Sequence, residues 1–182
     1  MNSLFDSAPD FDQPLAILKH CHDRIRKQLS TLERLVSHLN DTGVDEEAQR
    51  AAKAVLRYFR KAAPLHHEDE EVDLLPELAA TAKGDDAVLL QELTLQILLH
   101  HRQMEIHWKG LESQLQAIED GEGGDLSASD VEEFSELYQA HMAIEEGHIA
   151  PMALRLFDAT QMKKLGTAMQ TRRGIVPTAE PA

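Results

Sequence analysis

The chain has one cysteine, few aromatic residues and no long apolar run. Because Cys21 has no partner within the chain, an internal disulfide is excluded, and we predict a cytoplasmic protein. Aromatic residues make up only 4% of the chain, while leucine, alanine, glutamate and glutamine are abundant, which favours helix over strand. No apolar run approaches the roughly 18 residues of a membrane span, and the N-terminus carries no signal-peptide pattern.

Basic residues are also scarce, since 18 Lys and Arg stand against 32 Asp and Glu, for a net charge of −14. Nucleic acids and anionic membranes are bound by basic surfaces, so neither is an expected partner. Histidine, by contrast, occurs ten times. Six histidines fall in close pairs along the chain rather than in a terminal run, namely His20/His22, His66/His67 and His100/His101. These histidines are therefore the main indication of function.

Apolar residues recur every three or four positions in four long segments, which predicts helices. The first begins at Pro14 and ends before Gly43, and the fourth is predicted to open with a capping box at Ser129. Pro64 lies inside the second segment and predicts a kink or a split there. We expect an all-α, up-down-up-down four-helix bundle with a short extra C-terminal helix. The predicted parts are an N-terminal arm (1–13), the bundle (14–155), the short helix (156–174) and a flexible tail (175–182).

In each of the four predicted helices, the face formed by the recurring apolar residues also contains a histidine. Counted from the connecting loops at about 1.5 Å per residue, the first three histidines should be level to within about 3 Å, and the fourth is off by roughly 7 Å. A single such histidine is usually a core residue bonded to a carbonyl. Burying several imidazoles and carboxylates together without a partner would cost several kcal/mol per ion, so we predict a metal site. The four histidines are His22, His66, His101 and His141.

The densest group of candidate ligands is the run from His66 to Glu71, in which each of two histidines precedes a glutamate by four residues and shares a helix face with it. Imidazole and carboxylate ligands without thiolates disfavour a structural zinc site, calcium and magnesium. They suit a pair of first-row metal ions, iron above all. The ferritin-like di-iron bundle is the second choice, because it needs two Glu-x-x-His motifs and only Glu145-x-x-His148 fits.

The order and spacing of these residues resemble the hemerythrin family, in its bacterial HHE cation-binding branch, over roughly residues 14–155. The resemblance is carried by Cys21-His22-Asp23-Arg24-Ile25-Arg26, His66-His67-x-x-Glu70-Glu71-x-x-Leu74-Leu75-Pro76, His101 with Trp108, and His141-x-x-x-Glu145-Glu146 with Pro151. It implies a non-haem di-iron centre with an oxo or hydroxo bridge, for which zinc or manganese can substitute. It further implies that the four inward histidines are terminal ligands and that Glu70 and Glu145 bridge the two metal ions.

The third helix departs from the oxygen-carrying members of that family, which have two histidines four residues apart. Here the second of those positions is Glu105, which the resemblance makes a metal ligand that favours ferric iron. This departure disfavours reversible oxygen carriage. His67 is an additional ligand or lies beside the ligands, and we expect Tyr138 and His148 to lie beside them as well.

Three functional hypotheses follow. The first is a di-iron protein that binds or senses O2 or a related small ligand, or that handles iron. The second is a di-iron enzyme that acts on peroxide or nitric oxide, and the third is a metal-free helical bundle that binds a partner. The sequence favours binding over turnover without deciding between them, and it leaves any protein partner open.

Overall fold

The computed structural model describes residues 10–175, and within that range the chain forms helices and no strand. Most of the predicted N-terminal arm and nearly all of the predicted tail lie outside the described residues. No helix in the described part is long and apolar enough to cross a membrane. The α-helices are α1 (Pro14–Thr42), α2 (Glu46–Glu68), α3 (Leu75–Thr81), α4 (Asp85–Glu119), α5 (Ala128–Ile144), α6 (Ala150–Leu156) and α7 (Ala159–Arg172).

Local sequence explains where most of these helices begin and end. Pro14 lies in the first turn of α1, and Gly43 ends this helix with a φ of 81°, a left-handed value that glycine adopts without strain. The Asp45 carboxylate accepts a 2.8 Å hydrogen bond from the Ala48 amide and so caps α2. The predicted C-terminal helix is present as α7, which Asp158 caps.

The capping box predicted at Ser129 is wrong, because α5 begins two residues earlier. Ser127 is the N-terminal cap, and its hydroxyl accepts a hydrogen bond from the Asp130 amide. The Ser127 amide is in turn held by the Gln114 side chain at 2.7 Å, which attaches the start of α5 to α4. A contact with another helix therefore selected one serine over the other.

The interruption of the second helix also differs from the prediction. Exposed Pro64 does not split α2, which continues to Glu68. The α-helix instead gives way to a short π-helical segment, Asp69–Leu74, which we call the first π turn. A second π-helical segment, Glu145–Ile149, follows α5 and is called the second π turn. Each is followed by a proline, Pro76 or Pro151, in the first turn of the next helix. Because proline has no N–H and its ring crowds the carbonyl four residues earlier, a wider turn relieves the conflict.

The four long helices contact one another in a ring, in which α1 and α4 each pack against both α2 and α5. Two separate apolar clusters fill the interior. On α1, Leu18 belongs to one cluster and Ile25 to the other, with His22 between them; on α4, His101 lies in the same way between Ile97 and Met104. A polar layer thus separates the two apolar clusters.

Candidate metal centre

Six side chains from four helices and two π turns make up the polar layer, and none is more than 6% exposed: His22, His66, Glu70, His101, His141 and Glu145. Their nitrogen and oxygen atoms form two groups of four, and within each group the atoms lie within 4.8 Å of one another. One group contains His22 and His66, and the other contains His101 and His141. Both groups contain both glutamates, so the two groups share their carboxylates.

The two glutamates are oriented in the same way. Oε1 of Glu70 lies 2.9 Å from Nε2 of His66, and its Oε2 lies 3.1 Å from Nε2 of His101. Oε2 of Glu145 lies 2.7 Å from Nε2 of His22, and its Oε1 lies 3.4 Å from Nε2 of His141. Each carboxylate therefore directs one oxygen at each pair of histidines.

Most of these close approaches are not hydrogen bonds. Among the described residues, Nε2 of His22, both ring nitrogens of His66, both oxygens of Glu70 and Oε1 of Glu145 are buried without a hydrogen-bond partner. Buried polar atoms are nearly always hydrogen-bonded, and leaving them unpaired costs free energy. Convergent imidazole nitrogens and carboxylate oxygens are also the donor set that first-row metal ions prefer. The residues present thus fit a metal centre better than a hydrogen-bonded cluster.

Two further carboxylates hold the outer nitrogens of the histidines. Nδ1 of His101 lies 2.5 Å from Oε1 of Glu71, and Nδ1 of His22 lies 2.9 Å from Oε1 of Glu146. Such contacts fix the tautomer and orientation of a metal-binding imidazole. Sequence reasoning did not assign this role, although each residue directly follows one of the shared glutamates. The two halves of the cluster are therefore related by an approximate two-fold symmetry.

Charge within the cluster shifts the pKa values of its members. Burial alone would lower the pKa of His66, but the neighbouring Glu70 carboxylate raises it well above its ordinary value. Burial likewise opposes protonation of His101, while the nearby carboxylates of Glu70 and Glu71 raise its pKa. Conversely, burial would raise the pKa of Glu70, and the charge of His66 holds it well below its ordinary value. The carboxylates of the cluster therefore favour the protonated forms of His66 and His101.

Of His67, Tyr138 and His148, the first two lie beside the six residues of the polar layer. His67, which was predicted as an additional ligand or a neighbour of the ligands, also offers a ring nitrogen within 4.8 Å of those of His101 and His141. The His67 ring stacks on His101 with the ring centroids 4.0 Å apart, and the Tyr138 ring lies 6.1 Å from that of His67. Burial, reinforced by the nearby His101, lowers the pKa of His67 well below its ordinary value, and burial raises the pKa of Tyr138. The third residue, His148, is exposed and lies outside this group.

Glu105 is not part of the cluster, which corrects its assignment as a ligand. Its side chain is 69% exposed and lies 3.1 Å from Lys109 on the surface of α4. The inward position after His101 is occupied by Met104, which is 1% exposed. The helix therefore turns Glu105 away from the polar layer.

A cavity of about 520 Å³ lies beside the second pair of histidines. Its lining includes His67, His101, Tyr138 and Glu71, and Glu105 is on its border. A small molecule in this cavity would reach the cluster from the His101 side.

Helix α7 reaches the cluster indirectly, through the first π turn. Asp69, directly before Glu70, is fully buried, and it accepts hydrogen bonds from Arg172 and from Arg173, the latter at 2.6 Å. Arg172 also lies 2.5 Å from Asp73. These contacts join residues about a hundred positions apart, and sequence reasoning missed them because helical periodicity carries no signal for such pairs.

Comparison with known proteins agrees with this geometry. The profile of the Hemerythrin HHE cation binding domain matches residues 13–153. A protein of Haemophilus influenzae, itself uncharacterized, is 28% identical over 165 residues, which cover 91% of this chain and 92% of the relative. The four helices and two π turns that supply the polar layer lie entirely within the matched range, whereas α7 lies beyond it. The predicted resemblance is confirmed: the chain belongs to the hemerythrin family of HHE cation-binding domains.

Proposed function

We propose that this protein binds two iron ions in the polar layer and that the centre binds O2 or a related small ligand. The observation that carries the proposal is the orientation of Glu70 and Glu145, each of which directs one oxygen at each pair of histidines. Two carboxylates shared in this way suit a pair of metal ions better than a single ion. Iron is preferred, and zinc or manganese can occupy the same ligands.

In this proposal, each ion has two terminal histidines, with His22 and His66 on one and His101 and His141 on the other. Glu70 and Glu145 bridge the two ions. The ring of contacts among α1, α2, α4 and α5 supports an up-down-up-down four-helix bundle as the scaffold. When bound, the ions would supply redox chemistry, while the protein orients the histidine and glutamate side chains and limits access of water.

The position of the cavity supports entry of the small ligand at the His101 side. His101, His67 and Tyr138 line that cavity, and the Tyr138 ring contacts those of Phe59 and Phe134. The cavity, of about 520 Å³, is large enough to admit a diatomic molecule to the edge of the polar layer.

An enzyme that acts on peroxide or nitric oxide at the same centre is the second candidate. The lowered pKa of His67 keeps its imidazole neutral near pH 7, and its Nε2 is buried without a hydrogen-bond partner among the described residues. A neutral imidazole beside a reactive centre is a suitable proton carrier. Steady consumption of peroxide or nitric oxide by the iron-loaded protein distinguishes this candidate from ligand binding without turnover.

The experiment that tests the proposal is metal analysis of protein purified without chelators, with optical spectra recorded in air and after reduction. We expect about two iron ions per chain and absorption bands that change with oxygen. The double variant Glu70→Gln, Glu145→Gln should lose this stoichiometry, while Glu105→Gln should keep it. Absence of stoichiometric metal after anaerobic addition of ferrous iron would support the metal-free helical bundle instead.

A further inference from the structure

Helix α4 is apolar on two opposite sides, and only one of them faces the core. Its buried side carries Ile97, His101 and Met104. Its outer side carries four large apolar residues that are between 53% and 69% exposed, namely Val88, Leu95, Leu99 and Ile106. A helix that is apolar on both sides normally packs against a neighbour on each. The outer side has no such neighbour within the described part of the chain.

The exposed apolar residues follow a heptad pattern. Their spacings of seven, four and seven residues match the a and d positions of a coiled coil. We define the outer seam of α4 as all the residues at those positions. It consists of Val88, Glu92, Leu95, Leu99, Arg102, Ile106, Lys109 and Ser113, and every one of them is exposed.

The outer seam is complementary to itself when two copies run antiparallel. A two-fold axis that passes between His100 and His101 brings Leu95 opposite Ile106 of the second copy. This pair occurs twice and forms one apolar layer on each side of the axis. In the same register, Leu99 faces the aliphatic stem of Arg102, which can cover it while the guanidinium stays in water. This register pairs a with d positions throughout, as antiparallel coiled coils require.

Charge agrees with the same register. Glu92 lies opposite Lys109 of the second copy, so an ion pair of opposite charges lies on the outer side of each Leu95–Ile106 layer. Lys109 at present pairs with Glu105 on its own helix at 3.1 Å, and both side chains are 69% exposed. Exposed pairs of this kind are weak, so Lys109 is free to accept a second carboxylate.

We propose that two copies of this chain associate through the outer seam of α4 as an antiparallel, two-fold symmetric pair. An unrelated partner would not require the apolar and charged positions to mirror each other about one point, whereas a second copy does. Because Arg102 also borders the cavity beside His101, the second copy lies along the rim of that cavity.

The first test is the mass of the metal-loaded protein in sedimentation equilibrium, at chain concentrations from about 1 µM to about 1 mM, which span weak and moderate affinities. We expect a concentration-dependent species of twice the 20.4 kDa chain mass. Leu95→Glu should weaken dimerisation by about 100-fold or more, since it buries a charge against Ile106 of the other copy in both apolar layers. A monomer at every concentration would overturn the proposal.

Leu154→Glu is the matched control, because Leu154 is 67% exposed on α6 and the substitution adds the same charge outside the seam. It should leave the dissociation constant within about twofold of the wild-type value. Both variants should keep their helix content and metal content, which shows that they fold. Equal weakening by both variants would mean that net charge, not the seam, controls association, and would contradict the proposal.

Charge reversal tests the two pairs of Glu92 with Lys109. Glu92→Lys and Lys109→Glu should each weaken the dimer by about 3- to 30-fold, because each places like charges together at both ends. The double variant should recover to within about threefold of the wild type. Failure of the double variant to recover would overturn the pairing of Glu92 with Lys109.

Cysteine cross-linking tests the direction of the pair. In a Cys21→Ser background, the double variant Leu95→Cys, Ile106→Cys should form a disulfide-linked dimer under mild oxidation, because these positions face each other only when the helices run antiparallel. Leu95→Cys alone should not, since its two copies lie about 16 Å apart along the seam at about 1.5 Å per residue. Efficient cross-linking of the single variant would indicate a parallel pair and contradict the proposal.

Discussion

Nδ1 of His101 lies 2.5 Å from a carboxylate oxygen of Glu71, on the side of the imidazole that faces away from the polar layer. On the other half of the cluster, His22 and Glu146 make the corresponding contact. The surroundings of the two carboxylates differ. Arg26 donates hydrogen bonds of 2.9 Å to both oxygens of Glu146, while the Glu71 side chain is 41% exposed and borders the cavity. Arg26 therefore stabilises the contact of Glu146 with His22, while the contact of Glu71 with His101 lies beside the cavity.

The first prediction concerns these outer carboxylates. Glu71→Gln and Glu146→Gln should each lower the affinity for ferrous iron by about 10- to 100-fold, because the imidazole loses the charged acceptor that orients it and increases its basicity. Competition with a chelator of known affinity under anaerobic conditions measures the change. Glu133→Gln is the control, since Glu133 is 3.7 Å from His107 on the surface. An effect of the control equal to that of the other two variants would show that charge alone is responsible.

The second prediction separates Glu105 from Glu70. Glu70→Gln should reduce the bound iron from about two ions per chain to about one or fewer, because a neutral amide bridges metal ions poorly. Glu105→Gln should leave the stoichiometry unchanged, since its carboxylate is on the surface with Lys109. Iron analysis of both variants under identical loading provides the measurement. Loss of iron from Glu105→Gln would mean that α4 turns this residue inward when metal binds.

The third prediction concerns the attachment of α7 to the first π turn. The double variant Arg172→Gln, Arg173→Gln leaves the buried Asp69 without its cationic partners, and this should cost about 3–5 kcal/mol in the free energy of unfolding. Urea denaturation measures the loss. Adding Asp69→Asn should recover part of it, because the unpaired charge is then gone.

Arg155→Gln is the control for that experiment. Arg155 also pairs with a carboxylate, that of Asp86, but its side chain is 57% exposed. We expect no measurable change in the unfolding transition, since exposed pairs contribute little. If Asp69→Asn brought no recovery, the arginines would act through packing and not through the buried charge.

The fourth prediction concerns the pH dependence of the metal-free protein. The pKa of His66 is raised above its ordinary value of 6.5, so its contribution to stability is fully present below pH 6.5 and is lost as pH rises through the folded-state pKa. The pKa of Glu70 is lowered from 4.5, so its contribution is present above pH 4.5 and is lost as pH falls through the folded-state pKa. The stability of the metal-free protein should therefore decrease on both sides of the mildly acidic range.

Urea midpoints measured from acid to alkaline pH test this expectation, with His148→Gln as the control because His148 is exposed. Iron affinity should show the opposite trend at neutral pH and increase as pH rises, because protons must leave His66 and His101 before metal binds. Stability of the metal-free protein that increases steadily above pH 7 would contradict the raised pKa of His66.

The sequence alone predicted the long helices and the six residues of the polar layer, to which it wrongly added Glu105. Apolar residues at helical spacing, together with Pro14 and Gly43, locate the ends of α1 because capping and periodicity are local properties. The same periodicity marks one inward histidine on each long helix, and the structure brings all four together with Glu70 and Glu145. Their family resemblance was likewise visible, since it depends on order and spacing.

Only the tertiary structure decided which neighbours of those residues take part. Met104 faces inward and Glu105 outward, although both follow His101 by about one turn, because the packing of α4 sets its rotation. The contact of Glu71 with His101, the pairing of Asp69 with Arg172 and the cavity all join residues from different helices. Such contacts depend on how the helices approach one another in space, and local periodicity contains no information about that.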